Sequence, residues 1–271
     1  MTSDIKKFRK IVLDHYKRSG RVLPWRENTN PYWVLISEVM LQQTQVPRGL
    51  VKFPEFISAF PTVEALATAT TPEVLAAWQG LGYNRRALYL KRAAEIIVRS
   101  HGGVIPDDPS VLQQLPGIGP NTAASIATFA YNRSVPFIET NVRTVFLHHF
   151  FPGEDGVSDT QLMPLIAEAQ DAKNPREWYW ALMDYGTFLK KEFGNASRRS
   201  RHYTKQSKFE GSLRQLRGHI LRLLLEKQAL SAAEILAVSP GRTQGEVEDA
   251  LGQLLGEGFV ILTKDEYFLT K

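Results

Sequence analysis

The chain contains no cysteine among its 271 residues. That absence excludes disulfides, thiolate-ligated zinc, a cysteine nucleophile and a cysteine-held iron–sulfur cluster. Long apolar runs are missing too. No stretch approaches the roughly 18 uninterrupted apolar residues of a membrane span, and the opening MTSDIKKFRK lacks the apolar centre and small-residue cleavage site of a secretory leader. A cytoplasmic protein with no membrane partner is expected. Charge imbalance is slight, with 33 Lys and Arg against 28 Asp and Glu for a net +5. It leans toward a polyanionic partner without saying where the contact lies. Alternating, strand-like runs are scarce.

Helical spacing is abundant instead. Apolar residues recur three and four apart, as at Phe8, Ile11, Val12 and Tyr16 or at Leu88, Ala94, Ile97 and Val98. Breakers at Asn30-Pro31, Phe60-Pro61, Thr71-Pro72, Gly80-Leu81-Gly82, Gly102-Gly103, Pro116-Gly117 and Pro152-Gly153 cut the pattern into ordinary helix lengths. This predicts a mainly α chain with a helical domain over residues 1–195. Residues 196–212 form a polar, basic linker, and residues 213–271 a winged-helix-like module: helices over 213–226, 231–238 and 243–255, then a hairpin of 258–262 and 267–269.

Leu115-Pro116-Gly117-Ile118-Gly119-Pro120-Asn121-Thr122 lies between two helical stretches. Its glycines permit a tight reversal, and Pro120 suits the first turn of a new helix, whose free amides attract anions such as phosphate. A plain turn is the alternative. The segment resembles the helix-hairpin-helix of base-excision DNA glycosylases. A longer match runs through Leu23-Pro24-Trp25-Arg26, Asn30-Pro31-Tyr32 and Ser37-Glu38-Val39-Met40-Leu41-Gln42-Gln43-Thr44-Gln45-Val46, then Gly80-Leu81-Gly82-Tyr83, Asn141-Val142 and Ala181-Leu182-Met183-Asp184. Those strings are similar to the MutY-type adenine DNA glycosylases over about residues 20–190. The resemblance implies two helical lobes around a cleft, and double-stranded DNA with a mismatched or damaged base as partner, bound by a single chain.

Breaking an N-glycosidic bond leaves positive charge on the sugar and negative charge on the departing base. A proton donor and a fixed carboxylate therefore both lower the barrier. The resemblance gives the donor role to Glu38, on a helix whose face Gln42 and Gln45 would share; the alternative is a solvated helix charge. Glu139 falls where the family usually carries aspartate; its extra methylene pushes the carboxylate more than an ångström further out, a displacement able to cost about two orders of magnitude in rate, and the readings are a backbone withdrawn to compensate, a pocket for a different base, or catalysis decayed into binding. The alternative is a glutamate satisfied by the amides of the next helix. Thr140, where the family has glycine, adds bulk to the same loop. Asn121 stands where endonuclease III-like relatives place a nucleophilic lysine. Since an amide forms no Schiff base, hydrolysis without strand cleavage is expected, with a helix-capping asparagine as the other reading.

By resemblance Arg26 and Asn141 line the pocket, while Gln42, Gln43 and Thr44 touch the opposite base or the gap left by the flipped nucleotide. Tyr83 is the inserted wedge, with ordinary aromatic packing as its alternative. Gly117, Gly119 and Thr122 face the backbone phosphates. Relatives hold an iron–sulfur cluster after the segment matched by 181–184; here Lys190 stands near the first expected ligand. Arg198, Arg199 and Arg201 follow, as a second phosphate-binding surface or a solvated linker. No cofactor is expected beyond a monovalent cation on the backbone of Leu115 and Gly117, implied by resemblance alone. The expected activity is a monofunctional DNA glycosylase for adenine. Another base (uracil, thymine or hypoxanthine) and a non-catalytic binder of distorted duplex are the alternatives.

Overall fold

A computed structural model describes residues 3–270. In chain order the helices are α1 (Ser3–Ser19), α2 (Pro24–Glu27), α3 (Pro31–Leu41), α4 (Val46–Ala59), α5 (Val63–Thr68), α6 (Thr71–Trp78), α7 (Arg85–His101), α8 (Pro109–Leu112), α9 (Pro120–Tyr131), α10 (Thr140–Phe150), α11 (Asp159–Ala169) and α12 (Pro175–Phe193). A 3-10 turn, Ala196–Arg199, precedes a C-terminal group: α13 (Leu213–Lys227), β1 (Ala229–Ser231), α14 (Ala232–Ala237), α15 (Gln244–Glu257), β2 (Val260–Thr263) and β3 (Glu266–Leu269). Sequence punctuation explains the boundaries. Thr70 and Glu73 close a capping box on α6, Ser231 and Glu234 do so on α14, Thr243 and Glu246 on α15, and Gly102 stops α7 in the left-handed region.

The chain divides into two compact units that interleave along the sequence. One comprises the chain up to Glu38, Pro106–Gln114 and Ile118–Lys205; the other comprises Val39–Ile105, Leu115–Gly117 and the chain from Gln206 on. The expected succession of a 1–195 domain, a linker and a module therefore differs from this partition. Its linker begins ordered, as the 3-10 turn, and its module shares a compact unit with α4 to α7.

In the first unit the apolar face of α1 buries Ile5, Phe8 and Val12, and Phe8 meets Phe146, Phe150 and Trp178 edge to face. Phe137, just before α10, stacks on Tyr179 of α12 with ring centres 3.9 Å apart, and its backbone N–H donates to the Tyr179 hydroxyl. These contacts fix the start of α10 against α12. In the second unit Phe56, Phe60 and Trp78 form an edge-to-face cluster. The C-terminal group orders its strands β1-β3-β2, all antiparallel, in a winged-helix-like arrangement. The sequence pattern missed β1, whose three residues are too few to show alternation. Lys264 and Asp265, both at positive φ, make the two-residue turn from β2 to β3. Arg85 and Arg92 of α7 bind Glu257 at the end of α15, the first through its carboxylate and the second through its carbonyl, and Arg217 of α13 joins the same carboxylate.

Candidate active site

Glu38 ends the part of α3 that belongs to the first unit. Leu35 and Val39 beside it are buried, as the helical pattern requires, but α3 stops at Leu41. Gln42 lies in the following turn and Gln45 caps α4, so neither continues the Glu38 face as the uninterrupted helix had predicted. The break comes at Gln43, whose φ of 56° is left-handed. Protein packs closely around the Glu38 carboxyl, and that burial lifts its pKa from 4.5 to about 7. The Ser125 hydroxyl lowers it, the charge of Glu139 raises it and that of Arg26 lowers it, none enough to offset burial. Ser125 Oγ lies 2.6 Å from Glu38 Oε2 and 3.0 Å from the Thr122 carbonyl. The hydroxyl therefore suits both protonation states: it donates to the carboxylate, or accepts from the acid while donating to Thr122. Sequence reasoning missed Ser125. Its signal was a polar stripe, Asn121, Ser125 and Thr128, at helical spacing in the alanine-rich α9.

Glu139 is the N-cap of α10. Its Oε1 accepts from the backbone N–H groups of Asn141 (2.7 Å) and Val142 (2.8 Å), and its Oε2 from the Asn141 side-chain amide (3.1 Å). The carboxylate thus folds back over the helix start, where the macrodipole favours it. The amide-satisfied alternative describes its local geometry, and the same carboxylate is still near enough to act on Glu38. Thr140 is exposed at the first position of the helix.

Asn141 is gripped from α12. Lys190 Nζ donates to its Oδ1 at 2.7 Å, which turns the amide nitrogen toward Glu139. One turn earlier on the same face, a Cβ at Gly186 would sit 2.6 Å from the Asn141 carbonyl oxygen, so only glycine allows this approach. Burial draws the Lys190 pKa down against the attraction of Glu139. Asn141 is therefore a link in a Lys190–Asn141–Glu139 chain rather than a free lining residue.

Arg26 is also committed. Its guanidinium forks onto buried Asp184 with both bonds at 2.9 Å and lies over Trp180, while Arg21 binds the same carboxylate through backbone and side chain. Burial alone would raise the Asp184 pKa; the bonds and charge of Arg26 and Arg21 outweigh it and hold the group below the usual carboxylate range. Arg26 thus reaches Glu38 through its charge. Asn121 is exposed at the second position of α9, where Gly119 is the cap, and its Oδ1 accepts from Ile138 N–H at 3.4 Å; the helix-capping reading of Asn121 is corrected. Gly119 is exposed with open space where a Cβ would stand, as close approach of a ligand to the α9 amides requires, and Thr122 follows in the same first turn, half-buried. Gly117, at φ 77°, makes the reversal, and a Cβ there would press on Tyr89.

The predicted contacts Gln42, Gln43, Thr44 and Tyr83 lie in the second unit, and all four are engaged. Thr44 is buried, and its hydroxyl accepts from Arg86 rather than facing outward. Gln42 reaches the Gly117 carbonyl at 3.5 Å, and Gln43 is exposed with its Oε1 accepting from Gln206. Tyr83, left-handed at φ 47°, receives a 2.6 Å bond from Arg214 on its hydroxyl. Arg86 organises this group: buried, it donates to the carbonyls of Val39, Met40, Gln42, Leu81 and Gly82, joining the end of α3 to the Tyr83 turn, and burial lowers its pKa to about 10. It carried no local sequence signal.

One further expectation rests on donor chemistry. With no cysteine in the chain, the segment after α12 does not fit an iron–sulfur cluster. It is closed instead by the Val157–Ser200 bridge, by Gly156 N–H on the Arg199 carbonyl, and by Arg199 itself, whose guanidinium binds the carbonyls of Leu147 and Phe151 at the end of α10. Arg199 is thereby withdrawn from the proposed phosphate surface, whereas Arg198 and Arg201 are exposed. The Gly117 carbonyl faces the Gln42 amide at 3.5 Å.

Comparison with known proteins gives a concordant result. Residues 36–167 match the family described as HhH-GPD superfamily base excision DNA repair protein. An adenine DNA glycosylase of Mycobacterium tuberculosis (strain CDC 1551 / Oshkosh) is 49% identical over 135 residues, 49% of this chain and 44% of that protein, so the chain spans less than half the length of that relative. One from Mycolicibacterium smegmatis is 33% identical over 288 residues, covering 95% of this chain and 94% of the relative. A solved thermostable thymine-DNA glycosylase has the same fold, with a TM-score of 0.63 at 22% identity over 72% of this chain and 94% of that one. By these matches, the chain belongs to the HhH-GPD superfamily of base-excision DNA repair proteins, among its adenine DNA glycosylase (MutY-type) members.

Proposed function

We propose that the protein is a monofunctional DNA N-glycosylase that hydrolyses the bond between deoxyribose and a flipped, mismatched adenine. The observation that carries this reading is the Glu38 carboxyl, poised near pH 7 beside the charged Glu139 within one unit. Half-protonated at neutral pH, Glu38 gives its proton to the departing base and afterwards, as carboxylate, can polarise a water. Ser125 keeps it hydrogen-bonded throughout. Glu139, held by its three N–H donors, offers a fixed negative charge to the sugar cation without having to reorganise. Water is the nucleophile, because Asn121 supplies no amine. The Gly119–Thr122 start of α9 would hold a phosphate on its amides, with Arg198 and Arg201 adding charge. The substrate is duplex DNA, which a single chain engages in the cytoplasm.

The test incubates the purified protein with duplexes that each carry one mismatch or lesion, then heats in alkali to reveal abasic sites. Cleavage at adenine that disappears in Glu38→Gln supports the reading. Tight binding with no abasic site in any duplex overturns it in favour of a non-catalytic binder.

A further inference from the structure

Tyr83 is held by a residue that lies 131 positions away in sequence. Arg214, in the first turn of α13, donates from Nη1 to the Tyr83 hydroxyl at 2.6 Å and places its guanidinium carbon 5.6 Å from the ring centre. The Arg86 guanidinium is also set over that ring, at 5.7 Å. Arg86 is immobilised by its carbonyl acceptors, and Arg214 is fixed by its other nitrogen, which donates to the Ser207 carbonyl at 2.8 Å. The ring thus has two cationic supports and a hydroxyl anchor on a residue whose left-handed φ of 47° already restricts the backbone.

Two observations show that this contact is more than module docking. An arginine in the first turn of a helix opposes the macrodipole, so Arg214 stands where helix formation alone disfavours a cation. The same segment also reaches a second predicted DNA contact, since Gln206 donates to the Gln43 side chain at 3.3 Å. Docking itself is provided elsewhere, by Glu257 with Arg85 and Arg92 of α7.

We propose that Arg214 is a positioning residue for Tyr83, making the C-terminal module a working part of base extrusion. This rests on the reading that Tyr83 inserts into the duplex. By fixing the hydroxyl, Arg214 holds the ring in one direction, so that the wedge enters the stack without first being ordered. The bond is charge-assisted, and losing such a bond is expected to cost about tenfold.

The test uses the whole chain and a duplex with a mismatched adenine and 2-aminopurine beside the adenine, whose fluorescence rises when stacking is broken. Single-turnover base release, the fluorescence amplitude and the melting temperature are measured for Arg214→Met, Tyr83→Phe and the double variant, with Arg92→Met as a docking control. Arg214→Met is expected to lower both release and amplitude about tenfold. Tyr83→Phe should do the same, and the pair should be no worse than either alone. Arg92→Met should lower the melting temperature while leaving the amplitude intact. Additive losses would make Arg214 a direct DNA contact and overturn the proposal, as would an Arg214→Met protein that extrudes like the parent. Should Arg214→Met fold poorly, Arg214→Lys replaces it: it keeps the charge but cannot bridge Ser207 and Tyr83, so full parental amplitude would be equally fatal. A parent that releases no base and gives no fluorescence change refutes the glycosylase reading instead.

Discussion

Glu38→Gln should cost activity and return stability, and both effects follow from one carboxyl. A pKa raised from 4.5 to about 7 means that ionising Glu38 in the folded chain costs about 3 kcal/mol more than in the unfolded chain. Below the unfolded value both states hold the proton and nothing is lost. As pH rises toward and through 7 the unfolded chain releases its proton more readily, and the folded state loses stability up to that amount. Glutamine is neutral throughout and can still accept from Ser125. At pH 8.5 Glu38→Gln should therefore exceed the parent by about 3 kcal/mol, and at pH 5 by about 1 kcal/mol. For a chain of this size the melting-temperature advantage should be about 5 °C larger at the higher pH.

Calorimetry or a circular-dichroism melt at both pH values measures this, alongside single-turnover assays. Losing the general acid should slow base release by about 100-fold or more while duplex affinity stays. In the parent, the rate should fall on the alkaline side with a midpoint near 7, as the acid form disappears. An equal melting shift at pH 5 and 8.5 would refute the burial argument. A parental rate that stays flat to pH 9 would refute the assignment of Glu38 as donor.

The other expectations are as direct. Lys190→Met frees the Asn141 amide from its α12 anchor, and single-turnover base release should fall about tenfold at unchanged duplex affinity, with Lys190→Arg retaining most of the rate. Alanine at Arg198 and at Arg201 should each reduce the slope of log affinity against log salt by about 0.9, whereas Arg199→Ala should lower the melting temperature and leave the slope alone, since its guanidinium closes α10. Asp184→Asn leaves two arginines without their shared carboxylate and should destabilise the protein by about 3–5 kcal/mol in urea unfolding at pH 7. With its folded pKa lowered, the parent holds the Asp184 contribution above the ordinary carboxylate range and loses it as pH falls through that range, so the gap between parent and variant should narrow toward pH 2.

What the chain revealed in advance was what short segments can encode. Helix boundaries followed caps and breakers, and the glycine-rich turn before α9 announced a helix start with accessible amides. Glu38 and Glu139 were identified because each sits inside a string dense enough to be recognised. The partners of these residues were not legible, because each is supplied by a distant part of the chain. Ser125 meets Glu38 across 87 positions, Asp184 meets Arg26 across 158, and Arg214 meets Tyr83 across 131. Such pairs exist only after packing, and a lone serine or arginine on a helix carries no mark of the group it will face. The two mistaken exposures, Thr44 and Arg199, have the same origin. Resemblance assigned Thr44 and a basic run suggested Arg199, yet both satisfy groups that folding buries or leaves open at a helix end.

The departures around the second carboxylate cohere once the cap geometry is considered. Glutamate is not among the residues favoured as an N-cap, and its extra methylene leaves more ways to point the carboxylate than aspartate has. At Glu139 that freedom is removed from both ends. The Asn141 and Val142 amides hold Oε1, and the Asn141 side chain holds Oε2 because Lys190 fixes which way that side chain faces. Gly186 lets α12 come close enough for Lys190 to do so. The longer carboxylate, the lysine near the expected cluster ligand and the glycine one turn before it thus form a single arrangement. None of the three is interpretable alone, and together they give a glutamate the fixed direction that the shorter acid would have from its own length.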